Sequence, residues 1–238
     1  MRLAISGTYS SGKSTTSVAL SHLTGIPRTY AKTMREILPE VLPGKRLEDC
    51  TVPDLFQLGM IRYAERAVHE SRLPSGFISD GSSLHEWIYG KVRVSVGLHP
   101  GQIEARDGFS SAAQRHLFDE VIGAMGAAML RHARTAYDAF AHLPIEFPLA
   151  IDGHRPVSEE FRAMCDELLL STVKQAEIPV YVVGGTLSVR LEKLVDVFAL
   201  PTVMTVSRAI DLACAEMAQW DTTDETTRTA GPALPEPA

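Results

Sequence analysis

Apolar residues along the chain fall into two habits, short unbroken runs and longer stretches at helical spacing, and their succession predicts alternating strands and helices. The run at 2–6 predicts a strand and is followed by a helix from about Lys13 to Leu23. Segment 27–38 predicts a short strand or loop leading into a helix. Residues 52–72, VPDLFQLGMIRYAERAVHESR, have the helical period, with Asp54 as an N-terminal cap or first-turn acid. GFISD at 76–80 predicts a second buried strand ending in an acid, and SSLHEWIYGKV returns to helix. From 92 to 112 glycine, proline and charge are mixed, which predicts an irregular insertion before a helix at about 113–134. AYDAFAHLP then predicts a strand, IEFPLAIDGHRP a loop, 157–176 a helix, IPVYVVGG a strand, and 187–197 and 205–219 two closing helices.

Strands separated by helices of this length imply an α/β/α sandwich with a mainly parallel sheet, covered on both faces and binding ligands at the carboxyl ends of its strands. The 238 residues are enough for one domain, expected over 1–219. Within it an acceptor-reading insertion is expected at about 92–134 and a lid at about 150–163. The tail from 220 onward is rich in Thr and Pro without apolar periodicity, and disorder is expected there.

With 45% hydrophobic and 22% charged residues the composition is that of an ordinary soluble protein. A formal net charge of -6 argues against sequence-independent binding of nucleic acid, so an anionic ligand requires a local site. Neither a signal-peptide core nor an apolar run long enough for a membrane span is present in the sequence. The 3 cysteines have no Cys-x-x-Cys spacing, which predicts neither a zinc site nor a disulfide framework and fits a reduced cytoplasm.

Against this background one local sequence changes the picture. Gly7-Thr8-Tyr9-Ser10-Ser11-Gly12-Lys13-Ser14 fits G-x-x-x-x-G-K-[ST], placed after a strand and at the opening of a helix. Gly7 and Gly12 permit the turns that aim backbone N–H groups, including those of Tyr9, Ser10 and Ser11, at a polyphosphate. Lys13 is expected on the β- and γ-phosphate oxygens, Ser14 on Mg²⁺, and Thr15 near the α-phosphate. No guanine-reading N-K-x-D run occurs, so ATP is the expected nucleotide. The alternative for the motif is an unliganded strand-to-helix turn.

Asp80 closes the second buried strand and has two candidate tasks, Mg²⁺ ligand or acceptor of a substrate hydroxyl's proton. It also has the simpler one of capping the next helix. Arg155 and Arg162 stand seven apart and, on a continuous helix, both reach one anion; that spacing and the Gly and Pro nearby suggest a lid. Arg35, Gln57, Arg62 and Trp87 are candidate acceptor contacts, Trp87 by stacking on a flat substrate or else by packing the core.

The segments GTYSSGKST, FISDGSSLHEWIYGK, YDAFAHLPIEFPLAIDGHRPVSEEFR and IPVYVVGGTLSVRLEKL together resemble the P-loop ATPase and kinase family that includes the nicotinamide riboside kinase domain of bacterial NAD regulators. The resemblance covers roughly residues 1–197. It implies that Asp80 acts near the acceptor hydroxyl, that Arg155 and Arg162 belong to a lid over ATP, and that Gly184, Gly185, Thr186 and Arg190 lie near the adenine. A second acid beside the first is expected at the end of the Asp80 strand; the run here is Ser-Asp-Gly-Ser-Ser, with one. Nicotinamide riboside is therefore not implied as the acceptor.

The expected function is an ATP- and Mg²⁺-dependent kinase acting on a hydroxyl of a small molecule, nucleoside-like or a specialised metabolite. Two alternatives stand beside it: a nucleotide-dependent regulatory ATPase, and a nucleoside monophosphate kinase whose acceptor phosphate is held among Arg28, Arg35, Arg62 and Arg93. Neither nucleic acid nor membrane is an expected partner, and self-association as a homodimer is left open.

Overall fold

The computed structural model describes residues 1–29, 31–100, 108–149 and 157–219. Five strands form one sheet: β1 (Arg2–Ser6), β2 (Arg28–Thr29), β3 (Phe77–Asp80), β4 (Ala139–His142) and β5 (Val180–Val182). Their order is β2-β3-β1-β4-β5, and every neighbouring pair is parallel. The helices are α1 (Lys13–Thr24), α2 (Met34–Val41), α3 (Val52–Ser71), α4 (Leu84–Val96), α5 (Ala112–Ala136), α6 (Glu159–Gln175), α7 (Leu187–Phe198) and α8 (Val206–Met217). None among the described residues is long and apolar enough to cross a membrane.

Successive side chains of a strand point to opposite faces, and the two cores divide accordingly. Leu3 and Ile5 of β1, Ile78 of β3 and Ala139 and Ala141 of β4 pack with Val18, Leu20, Leu191, Leu194 and Ala209 from α1, α7 and α8. Ala4, Phe77 and Phe140, from the alternate positions, pack with Ile88, Phe118, Met129, Phe161 and Leu169 from α4, α5 and α6. A smaller cluster of Ile37, Leu38, Cys50 and Leu58 joins α2 to α3. The result is the three-layer α/β/α sandwich that the sequence predicts.

Local chemistry sets the helix starts. Thr33 and Glu36 bond each other's backbone N–H groups at the head of α2, a capping box. Asp54 is a first-turn acid of α3, accepting from the Thr51 N–H at 2.7 Å and from its hydroxyl at 2.6 Å. Two boundaries differ from expectation. Helix α4 runs on to Val96 and α5 starts at Ala112, so the irregular stretch is shorter than predicted; residues 101–107 within it lie outside the described residues. Helix α6 begins at Glu159, after Ser158 has capped it through the Phe161 N–H, so it does not extend back through 157 and 158. The tail from 220 lies outside the described residues.

Helices α4 and α5 approach closely where Gly126 faces Trp87: a Cβ at 126 would stand 2.3 Å from the indole Nε1. Gly123, on the same helix, has nothing within 4 Å of its would-be Cβ. Gly126→Ala is expected to cost ~1–3 kcal/mol of unfolding free energy through overpacking. Gly123→Ala is expected to gain up to ~1 kcal/mol from helix propensity; urea denaturation of both variants beside the wild type checks the pair.

Candidate functional site

Strand β1 turns into α1 within six residues, and the turn uses conformations that few residues adopt. Gly7 has φ 133°, Gly12 φ 86° and Ser10 φ 57°. At Gly7 the backbone is also crowded, since a Cβ would lie 2.6 Å from the Leu143 carbonyl oxygen and 2.7 Å from Ser11 Oγ. Ser10 in the left-handed region costs on the order of 1–2 kcal/mol, strain of the kind held at functional turns. No acid stands in the first turn of α1, so the partial positive charge of its N-terminus is not cancelled there.

Four side chains brace the loop's carbonyl groups. Ser11 Oγ and Lys13 Nζ donate to the Thr8 carbonyl at 2.9 and 2.6 Å. Arg190 Nη1 donates to the Ser11 carbonyl at 2.7 Å. The fourth is His85: its Nδ1 accepts from the Ser82 N–H at 3.0 Å, which leaves the proton on Nε2, and Nε2 donates to the Gly7 carbonyl at 3.0 Å. Burial, followed by the charges of Lys13 and Arg66, lowers the His85 pKa well below 6.5, so the ring is neutral.

Asp80 sits at the carboxyl end of β3, paired in register with Ile5 of β1, and its Oδ2 accepts from Ser14 Oγ at 2.6 Å. The two residues expected to share a metal are thus together. Behind Asp80 lies a buried chain of hydrogen bonds: Arg66 Nη1 donates to Ser79 Oγ (2.8 Å), Ser79 Oγ donates to Glu70 Oε1 (2.9 Å), and Tyr137 OH donates to the same oxygen (2.8 Å). Burial raises the Glu70 pKa against the opposing charge of Arg66. On the β4 side, His142 lies between Ser6 Oγ (3.2 Å) and Asp166 (3.3 Å), and Thr8 Oγ1 reaches Asp166 at 3.5 Å, so α6 is tied to the loop.

Arg162 lies one turn before Asp166 on α6, on the face turned to the loop. Its side chain is fully buried; Nη1 reaches Glu159 at 3.2 Å, while Nε and Nη2 have no hydrogen-bond partner among the described residues. Arg155 lies outside the described residues, and because α6 starts at Glu159 the two arginines do not share one continuous helix. Arg190 is buried, with Nη2 on Glu146 at 2.8 Å and the guanidinium 5.3 Å from the Phe147 ring centroid. The Gly185 N–H is also held by Glu146, at 2.9 Å, and Thr186 caps α7 through the Val189 N–H.

Tyr9 stacks on Tyr89 with ring centroids 4.9 Å apart, which places the loop's aromatic ring against α4. Arg62 pairs with Glu86 at 3.0 Å and donates from Nε to the Lys32 carbonyl. Trp87 faces Gly126 of α5, and Gln57 is exposed on α3. Arg35 lies on α2, its side chain outside the described residues. His85, Glu86, Arg66, Glu70, His142, Glu146 and Asp166 were not singled out in the sequence. Only His85 and Glu86 had a signal, their closeness to Asp80.

The residues fit ATP and Mg²⁺ on three observations: a crowded, left-handed loop at a helix N-terminus, a hydroxyl and a carboxylate in contact at Ser14 and Asp80, and a buried guanidinium at Arg162 with unpartnered donors. Backbone N–H groups at 9–15 and Lys13 would hold the phosphates; Ser14 and Asp80 would hold the cation.

Residues 2–190 match the family model described as an AAA domain. The chain belongs to this family. Its fold is also that of deoxyadenosine kinase from M. mycoides. The complex of that enzyme with dCTP has TM-score 0.58 at 18% identity, covering 84% of this chain and 99% of that one. The complex with the products dCMP and a flexible dCDP has TM-score 0.55 at 16% identity, covering 84% and 98%. No curated protein matches at a significant level.

A neutral His85 in the fold has a stability consequence. An unfolded histidine takes a proton near pH 6.5, whereas folded His85 does so only well below that value, so the unfolded state binds more protons as pH falls through 6.5. Stability is therefore lost on the acid side. Between pH 7.5 and 5.5 the wild type is expected to lose more unfolding free energy than His85→Asn, by up to ~1.4 kcal/mol per pH unit, read from urea titrations at both pH values.

Proposed function

We propose that the protein is an ATP-dependent kinase transferring the γ-phosphoryl group to a hydroxyl of a small molecule, within a single domain over 1–219. The observation that carries this reading is the Ser14–Asp80 contact at 2.6 Å, which sets a strand-end carboxylate beside the phosphate loop. ATP and Mg²⁺, when bound, would supply an activated phosphoryl group with its charge partly neutralised. Lys13 and the N-terminus of α1 bind the phosphates. Asp80 orients the acceptor hydroxyl and takes its proton. Arg162, with Nε and Nη2 unpartnered, offers donors to the charge that spreads over the transferring group. Arg155 is its proposed partner on the lid at 150–163.

The monophosphate-kinase alternative needs cations that can be spared for an acceptor phosphate. Arg28 is paired with Glu216 and Arg62 with Glu86, and Arg93 donates to the Leu98 and Tyr89 carbonyls and lies over Phe161. These commitments support an acceptor hydroxyl on a neutral molecule. The neighbouring fold of a deoxyadenosine kinase supports the same class, with the acceptor in this chain its own question.

ADP release from ATP and Mg²⁺ should rise when a pool of nucleosides, sugars or amino alcohols contains the acceptor, with a product heavier by one phosphoryl group in mass spectrometry. Asp80→Asn should lower that product by roughly 10²–10⁴-fold, the range lost with a general base. Lys13→Ala should abolish both product and ADP release. Steady ADP release that no pool changes, with no phosphorylated product, identifies a regulatory ATPase instead.

A further inference from the structure

Glu86 has an unusual position for a carboxylate. It stands in the first turn of α4, six residues beyond Asp80, and its side chain is 0% exposed. Arg62 Nη1 approaches Oε1 at 3.0 Å, yet the direction is not that of a hydrogen bond, and neither carboxylate oxygen accepts one among the described residues. Two buried, unfilled acceptor oxygens are costly, and native structures fill such positions with protein donors, water or a ligand. The Arg62 Nε is already turned away to the Lys32 carbonyl, at 3.0 Å.

The surroundings connect this carboxylate to the reacting end of the site. Burial opposes the charge of Arg62, but the carboxylates of Glu86 and Asp80 act on the same guanidinium, and the balance raises its pKa. Glu86 stands on α4 three residues before Tyr89, on which Tyr9 of the phosphate loop stacks at 4.9 Å, so Glu86 and Arg62 lie where the phosphate loop, β3, α3 and α4 meet. Arg62 is 18% exposed, so the pair lies nearest to solvent on the arginine side, while both Glu86 oxygens are enclosed.

We infer that Glu86 is a specificity-determining residue of the acceptor site, accepting hydrogen bonds from two donors on a neutral polyhydroxy molecule. The inference rests on the kinase reading above for the word acceptor, not for the existence of the site. A hydroxyl pair satisfies both Glu86 oxygens and adds no charge to a cluster already balanced by Arg62. An acceptor that is itself a phosphate or carboxylate would bring a second anion against Glu86 and Asp80, so anions are rejected by repulsion. Glu86 does not take the proton of the reacting hydroxyl; Asp80 keeps that task.

The test uses the full chain and a panel of ribosides, hexoses and polyols, each beside its phosphomonoester. Binding is read by saturation-transfer NMR without nucleotide, and turnover by mass spectrometry with ATP and Mg²⁺. At least one neutral compound is expected to bind, and its phosphate to bind at least tenfold more weakly. Glu86→Gln, which puts an amide donor where an acceptor is needed, should raise the neutral compound's Kd and KM at least tenfold while the KM for ATP changes less than twofold. Because this change leaves Arg62 buried without its counter-charge, the double variant Arg62→Met with Glu86→Leu accompanies it; an apolar pair keeps the fold, and it should lose acceptor binding while keeping ATP binding. Preference for the phosphomonoesters, binding unchanged by either variant, or no binding by any neutral compound overturns the inference. Glu86-dependent binding without phosphorylated product upholds the site and removes the kinase reading, whereas product formed independently of Glu86 does the reverse.

Discussion

A backbone that offers its N–H groups to an anion must turn its carbonyl groups away, and each carbonyl buried in that way needs a donor from somewhere else. In this protein the donors are His85 for Gly7, Ser11 and Lys13 for Thr8, and Arg190 for Ser11. The loop's own sequence supplies only the middle pair. The outer two come from α4 and α7, so the helices on both sides of the sheet are fixed by what the loop requires. His85 can serve only while neutral with its proton on Nε2, and the Ser82 N–H at Nδ1 determines that tautomer.

The second constraint is the sheet edge at which the loop and Asp80 meet. Parallel pairing of β1 with β3 and β4 aligns Ile5 with Asp80 and Ser6 with His142, so the flanking strands present polar side chains at successive levels of the carboxyl edge. Under Asp80 the polar chain from Arg66 through Ser79 and Glu70 to Tyr137 replaces what would otherwise be apolar packing between β3, α3 and the end of α5. Such a network fixes side-chain positions more sharply than apolar contacts, since each member has few acceptable geometries. Tyr137 OH also receives the Ser83 N–H at 3.0 Å, which secures the turn between Asp80 and α4.

Much of the fold was legible because its signals are local. Apolar runs and helical periods place each strand and helix within a few residues, and the phosphate loop declares itself by spacing alone. The site was legible only where the chemistry lies in contiguous residues, as for Lys13, Ser14 and Asp80. His142 and Asp166 carry no local pattern; they matter because parallel pairing and the docking of α6 bring them to the loop from more than 130 positions away, and Glu146 matters through Arg190. Glu86 was hidden differently, since one acid in the first turn of a helix reads as favourable with the helix dipole. Its burial and its pairing with Arg62 are tertiary facts. The start of α6 was misplaced by two residues because Pro156 and Val157 gave no helix signal as strong as the Ser158 cap followed by two acids.

Arg190 and Ser11 are separated by 179 positions, yet one hydrogen bond joins them. A ribosome delivers the phosphate loop first and α7 near the end, so for most of its synthesis the chain has the loop without the donor that completes it. Until then the loop has the braces from Ser11, Lys13 and His85 but not the one on the Ser11 carbonyl. The last brace on the loop's carbonyl groups is thus a late event in the making of each molecule, tied to the arrival of its C-terminal third.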